Sequence, residues 1–233
     1  MARVSLFVGG IRPLPGSGRP TGIYKLPASG PLELGINGFT TDQQADLRVH
    51  GGPEKAVHLY PTAHYARLAA RFPEIASQLV PGSLGENLAT PDLDEDSVRV
   101  GDIWRLGSAR LQVCQPRSPC WKIDERFATD GMAQFIAEQR LNGWYWRVVT
   151  PGTVAPGEPL LLEEAASAMT LGEALRLCQT HRPPLAELDH LATTPGIASH
   201  WRQKIVQRTD WLRRHPDTPA PAPLGFHVKP PQP

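Results

Sequence analysis

The stretch Ile103-Trp104-Arg105-Leu106-Gly107-Ser108-Ala109-Arg110-Leu111-Gln112-Val113 leaves the backbone few choices. Two β-compatible runs meet across a two-residue link that begins with glycine. Glycine adopts positive φ freely, so Gly107-Ser108 predicts a type II′ turn, whose twist matches that of the strands it joins. In the second run Ala109, Leu111 and Val113 alternate with Arg110 and Gln112, which turns one face to a core and the other to water. A lone hairpin is marginal in water and needs further strands beside it. Candidates lie at residues 4–8, 31–34, 56–60, 144–149 and 159–162, with weak alternation over 21–26. The 21 glycines and 25 prolines are spread among them, as many short strands and tight turns require. Two brief helices fit between: 62–72, with Tyr65, Leu68 and Ala69 on one side, and 131–140, with Asp130 as its cap. The expected fold is mainly β, a mixed sheet or barrel with short helices.

The pattern changes after Glu163. Thr170-Leu171-Gly172-Glu173 is a capping box that opens a helix with Leu171, Ala174, Leu175 and Cys178 on one face. A second helix at 185–192 lies between prolines, and a third at 197–214 carries Trp201, Ile205 and Leu212 as its apolar stripe. The chain thus divides into a β domain at 1–164, a three-helix appendage at 165–215 and a Pro-rich tail at 216–233, from which Leu224 can tack back onto the surface.

With 233 residues the chain can bury a sizeable core. A formal net charge of +1 sets up no field that favours nucleic acid or an anionic membrane. No apolar run approaches the ~18 residues of a membrane span, and the first apolar run meets Gly9-Gly10 too early for a signal h-region. Three cysteines argue against a disulfide framework and for a reducing compartment. The expectation is a soluble cytoplasmic protein.

The chemistry is expected at Gln115-Pro116-Arg117-Ser118-Pro119-Cys120-Trp121-Lys122. Two prolines stiffen this loop, and the hairpin's second strand feeds straight into it. Cys120 lies between Arg117 and Lys122, cations that favour the thiolate, the form that attacks electrophiles and binds soft metals. Lys25, Arg48, His50, Gly51, Gly52 and Lys55 gather cations and accessible backbone amides, the makings of an anion cradle. Gly82-Ser83-Leu84-Gly85 can do the same. No phosphate-loop or dinucleotide signature is present, so a phosphate-bearing ligand is expected without a nucleoside triphosphate. Zinc held by His50, His58 or His64 with Cys114 or Cys120 lacks the usual spacings, and packing or hydrogen bonding is the better reading of His64. Ser83 does not sit in GxSxG, which weakens a serine hydrolase. Cys178 reads as core. Cys120 with His50 as base leaves a metal-free thiol mechanism open.

In combination, Asp46 to Tyr60 (DLRVHGGPEKAVHLY), Gly82 to Leu88 (GSLGENL), Val100-Gly101-Asp102 and Gln115 to Lys122 (QPRSPCWK) resemble the MOSC domain family, and within it the YiiM-type members, which carry a small three-helix extension. The resemblance covers roughly residues 2–214. It implies a barrel-like domain of the pyruvate-kinase β-barrel type. It implies bound molybdenum cofactor, with Cys120 as the protein ligand of molybdenum. It also implies reduction of N-hydroxylated compounds such as 6-hydroxylaminopurine to the amine, a detoxification. The cofactor's phosphate and pterin would fall to Lys25, Arg48, His50, Gly51, Gly52 and Lys55, with Asn87, Gln115, Arg117 and Ser118 completing the set. His50 or Glu86 is the expected proton donor. With no flavin motif or iron–sulfur cysteine set in the sequence, electrons are expected from an external flavoprotein or ferredoxin-like donor. The competing class is a carrier of the cofactor, or of sulfur on Cys120, without turnover. The helices can cover the pocket, form a homodimer or dock the donor.

Overall fold

The computed structural model describes residues 2–222 and 224, and the side chains of Arg48 and Val49 lie outside that description. The hairpin forms as read. Ile103–Leu106 pairs antiparallel with Ala109–Pro116, and Leu106 lies opposite Ala109. Gly107 has φ +59 and Ser108 has no positive φ, which is the II′ pattern.

A nine-stranded mixed sheet grows outward from this hairpin. On one side Pro159–Glu164 pairs with Ile103–Leu106 and then with Ala2–Arg3. On the other, Trp144–Thr150 pairs with Ala109–Pro116, followed by Val57–Pro61, Leu88–Thr90, Ser5–Val8 and Leu26–Pro27. The one parallel pairing in this sheet joins Val57–Pro61 to Leu88–Thr90, and the helix Ala63–Arg71 lies in the connection, as a parallel crossover requires. The expected barrel does not close. Ala2–Arg3 forms one edge of the sheet and Ser5–Val8 lies beside the other edge strand, Leu26–Pro27, but Val4 between them belongs to neither strand: its side chain is buried in the core and its carbonyl accepts from Gly157 N.

The C-terminal helices are Leu171–Gln179, Leu185–Ala192 and Ser199–Arg214. The capping box is complete: Glu173 N donates to Thr170 Oγ1 at 3.1 Å and Thr170 N donates to Glu173 Oε2 at 2.7 Å. The buried faces of these helices enter the same apolar cluster as the sheet, with Leu171, Cys178, Leu188 and Ile205 joining Leu6, Leu111 and Trp146. The separate three-helix subdomain is therefore not set off by a core of its own. Leu224 does return, its N donating to Cys178 O at 3.3 Å.

A second cluster forms behind the Cys120 loop from Tyr65, Leu68, Leu84, Ile123, Phe127 and Ile136. It is built partly by a helix the sequence reading passed over, Lys122–Phe127. The following helix, Met132–Glu138, is capped by Asp124 and not by Asp130. The Asp124 carboxylate accepts from Gly131 N at 3.1 Å and from Ala133 N at 2.7 Å. Asp124 lies one helix back in the chain, beyond the reach of a local capping pattern.

Candidate functional site

The Ala109–Pro116 strand delivers Arg117 to Cys120 as an extended segment, and the backbone of Arg117 is clamped on both sides. Arg117 N donates to Gly143 O at 3.0 Å, and Asn142 Nδ2 donates to Arg117 O at 2.7 Å. Gly143 N in turn donates to Glu95 Oε1 at 2.6 Å, while Glu95 Oε2 lies 2.8 Å from His64 Nε2. His64 thus has the hydrogen-bonding role expected of it. The Arg117 side chain is 7% exposed, and its Nη2 donates to Leu84 O at 3.0 Å. Its Nη1 is buried without a partner. The Cys120 carbonyl accepts from Ile123 N at 2.9 Å, fixing the thiol just ahead of the Lys122–Phe127 helix. Lys122 Nζ donates to Pro20 O at 3.0 Å.

Cys120 borders a narrow cavity of about 80 Å³, whose walls include Lys25, His50, Lys55, His58, Arg117 and Tyr145. Beside it opens a cleft of about 570 Å³ that shares His50, Lys55, Arg117 and Tyr145. The cleft adds Gly51, Gly52, Gln115 and Ser118 from the predicted set, and His200, Trp201 and Lys204 from the last helix. Gly52 has φ +88 and ψ 171, a backbone open essentially to glycine alone. Gln115 spends its Nε2 on Glu54 O at 2.8 Å.

Electrostatics separates the players. Lys25 and Asp42 form a buried ion pair with side chains 4% and 2% exposed, so Lys25 meets the cavity already neutralised. Asp42 also accepts from Gly9 N at 2.8 Å, Gln44 Nε2 at 3.0 Å and Asn87 Nδ2 at 3.0 Å. Burial, together with the charge of Arg117, holds the His58 imidazole well below its usual range, so it is neutral. Its Nε2 is buried without a partner. Burial pushes the Tyr145 hydroxyl up, and the Arg117 charge and a side-chain hydrogen bond with Arg117 offset this only in part. Burial also pushes the Cys114 and Cys178 thiols up to about 12, leaving both protonated and inert. Cys114 Sγ lies 3.1 Å from Glu54 O, and Cys178 is core as read.

Two expectations change. Glu86 is fully buried and borders neither cavity. Its carboxylate accepts from Tyr65 Oη at 2.5 Å, Gly82 N at 2.6 Å and Leu84 N at 3.2 Å. It is therefore no proton donor for a ligand beside Cys120, and the amides of the 82–85 loop cradle Glu86 and not a ligand anion. Asn87 borders the narrow cavity, but its amide is consumed by His58 N, Phe7 O and Asp42. Arg48 lies in the short helix Leu47–His50, and its side chain is outside the described residues. Tyr145, His200 and Lys204 were missed, and His58 was weighed only as a zinc ligand. His58 and Tyr145 are register partners on adjacent strands, and His200 and Lys204 are one helical turn apart. Strand alternation and helical spacing carried those two signals, but only pairing shows that they meet.

Among the described residues no three metal-ligating side chains come together, so a metal held by Cys120 must bring ligands of its own. No helix among them is long and apolar enough to cross a membrane. The arrangement suits an anionic ligand carrying a soft metal, with open space beside it.

Residues 46–161 match the MOSC domain family model. The chain is 37% identical over 206 residues to Protein YiiM of Escherichia coli, covering 88% of this chain and 91% of that one. It is 32% identical over 177 residues to a protein named Reductase from Gibberella moniliformis, covering 74% of this chain and 31% of that longer protein. The crystal structure of YiiM from Escherichia coli superposes with a TM-score of 0.77 at 30% identity, covering 90% of this chain and 92% of that one.

Proposed function

The chain belongs to the MOSC domain family, and from that premise we propose that it is a molybdenum-cofactor-dependent oxidoreductase that reduces N-hydroxylated compounds to amines. MOSC domains are associated with molybdenum cofactor binding. Arg117 carries the reading: a buried guanidinium with an unpartnered Nη1, in the wall between the Cys120 cavity and the wide cleft. A buried donor left unsatisfied is costly, and a buried cation all the more so, unless an anionic ligand meets it.

The residues present fit the cofactor. Cys120 is the ligand of molybdenum, since a thiolate suits a soft metal held by sulfur. Arg117 and Lys55, with the amides of Gly51 and Gly52, hold its anionic and polar parts, and Ser118 adds a hydroxyl at the cleft wall. When bound, the cofactor supplies the two-electron reduction of the N–O bond. Conversion of R–NHOH to R–NH2 takes two electrons and two protons and releases one water. His50, in both walls, hands a proton to the departing hydroxyl, which leaves as water. The cleft has room for a purine-sized substrate. Electrons come from an external flavoprotein or ferredoxin-like donor.

The test is purification from a host competent for cofactor synthesis, with molybdenum and oxidised-pterin quantification and a reduction assay on an N-hydroxylaminopurine. The expected result is a molybdenum-loaded reductase in which Cys120→Ala removes both metal and activity while the fold survives. A protein containing neither molybdenum nor pterin overturns the proposal, and so does full activity in Cys120→Ala.

A further inference from the structure

The last helix begins without a cap of its own. The residue ahead of Ser199–Arg214 is Ala198, which has no side-chain oxygen to accept from the orphan amides of the first turn. A carboxylate 145 positions back takes that part. Ser199 N donates to Glu54 Oε2 at 2.9 Å and to Oε1 at 3.0 Å, and Ser199 Oγ donates to Oε1 at 3.0 Å. A negative charge there also meets the positive end of the helix dipole. Arg147 completes the clamp from the Trp144–Thr150 strand. Its Nη2 donates to Glu54 Oε1 at 2.6 Å, and its Nη1 donates to Gly196 O at 3.3 Å, just ahead of the helix. Burial raises the Glu54 carboxyl, but the hydrogen bonds from Ser199 and Arg147 outweigh it and hold the group below the usual carboxylate range, so it is ionised at neutral pH.

Glu54 grips in two directions through different atoms. Its main-chain carbonyl accepts from Gln115 Nε2 at 2.8 Å, with Cys114 Sγ 3.1 Å away, which pins residues 50–55 to the strand that feeds the Cys120 loop. Its carboxylate holds the helix that brings His200, Trp201 and Lys204 to the wall of the wide cleft. Ala198 N donates to Cys114 O at 2.9 Å, so without the carboxylate the helix keeps one anchor and swings about it. The loop stays pinned through its main chain.

We propose that Glu54 is a positioning residue for the substrate: its carboxylate sets the last helix against the loop at 50–55 and so fixes the width of the cleft that takes the N-hydroxylated compound. This role rests on the reductase reading for its substrate, whereas the clamp stands on the hydrogen bonds alone. Removing the carboxylate leaves the amides of Gly51 and Gly52 and the Cys120 thiol in place. It therefore weakens substrate binding without touching the cofactor or the chemical step.

The experiment compares the purified holoprotein with its Glu54→Ala, Ser199→Pro and double variants. Molybdenum content, steady-state kinetics on an N-hydroxylaminopurine and hydrogen exchange of the amides at 200–214 are measured for each. Proline suits the first position of a helix, and Ala198 is already extended at ψ 136, so Ser199→Pro deletes both donors to Glu54 without breaking the helix. Each single variant is expected to raise KM about 10-fold, with kcat and molybdenum content close to wild type. Exchange in the first turns of the helix is expected to quicken. The double variant is expected to add little to either single one, since both remove the same contact. A merely structural loss lowers the folded fraction and the apparent kcat and leaves KM alone, so an unchanged KM in both single variants overturns the role. A rise in Glu54→Ala that Ser199→Pro does not reproduce overturns it too, as do additive effects in the double variant. Loss of molybdenum from Glu54→Ala assigns the carboxylate to the cofactor cradle and also overturns it. If the wild-type holoprotein turns over no N-hydroxylaminopurine, the reductase reading fails and exchange decides the clamp: faster exchange in the variants upholds it and equal exchange overturns it.

Discussion

Replacing Asp42 by alanine isolates a buried charge. The Lys25 and Asp42 side chains are 4% and 2% exposed, and the hydrogen bond recorded for Lys25 Nζ is to Asp42. Removing one partner of a buried pair costs about 3–5 kcal/mol, because the other charge is left uncompensated. For a chain of this size each kcal/mol moves Tm by roughly 2–4 °C, so Asp42→Ala should lower it by roughly 6–20 °C. The pair is not symmetric. Without Lys25, Asp42 still accepts from Gly9 N, Gln44 Nε2 and Asn87 Nδ2 at 2.8–3.0 Å. Lys25→Met should therefore cost only about 1–2 kcal/mol. A second signature comes from pH. Burial lowers the folded pKa of Lys25 even with Asp42 present, and loss of the carboxylate lowers it further. Between that folded value and 10.5 the unfolded chain binds more protons than the folded one, so stability rises with pH and the deficit of Asp42→Ala shrinks in alkali. Urea unfolding of wild type, both single variants and the double variant at neutral and alkaline pH measures all of this. A cost below about 1 kcal/mol for Asp42→Ala, or a larger one for Lys25→Met, refutes the reasoning.

His58 is buried with its folded pKa well below 6.5, so the unfolded chain takes up a proton that the folded one refuses as pH falls through 6.5. His58→Gln should make the acid limb of stability shallower by about 1.4 kcal/mol per pH unit, and parallel curves in urea unfolding at several pH values would contradict this. Gly107→Ala forces φ +59 on a residue with a Cβ and drives that atom into the Thr153 carbonyl. It should cost about 2–4 kcal/mol, read as a Tm loss, and an unchanged melt would count against the tight turn. Thr170→Ala removes the capping box and should cost about 1 kcal/mol in denaturant unfolding, with Thr170→Ser recovering most of it. Arg117→Met should keep the fold and lose most bound molybdenum on purification, so full occupancy in that variant argues against its role.

The hairpin, the capping box and the C-terminal helices were legible because local spacing alone decides them. Gly107-Ser108 admits one turn type, and Thr170 with Glu173 closes its two hydrogen bonds within four residues. Cys120, His50, Lys55 and Arg117 were legible as chemistry because their residue types stand out in glycine- and proline-bounded loops. The misreadings share a cause: partners distant in sequence. Glu86 was read as a free acid, but Tyr65 and the 82–85 amides claim it. Lys25 was read as a free cation, but Asp42, seventeen positions on, neutralises it. Asp124 caps a helix that Asp130 adjoins. His58 and Tyr145 face one cavity only because two strands far apart in sequence pair in that register.

Residues 2–8 take part in two strands far apart in one sheet, an edge strand and the strand next to the opposite edge, and their partners are made at very different times. Ser5–Val8 pairs with Leu88–Thr90, whereas Ala2–Arg3 pairs with Pro159–Glu164. At about 5–20 residues per second, the ribosome leaves Ala2–Arg3 waiting for roughly 8–30 s before its partner exists. Contacts this distant in sequence are slow to form and are made late in folding. The cysteine loop and both walls of the cleft up to Tyr145 are synthesised before that last pairing, whereas the helix bearing His200 and Lys204 follows it. The narrow cavity beside the thiol can thus take shape on the nascent chain, while the wide cleft still lacks the side that the final helix supplies.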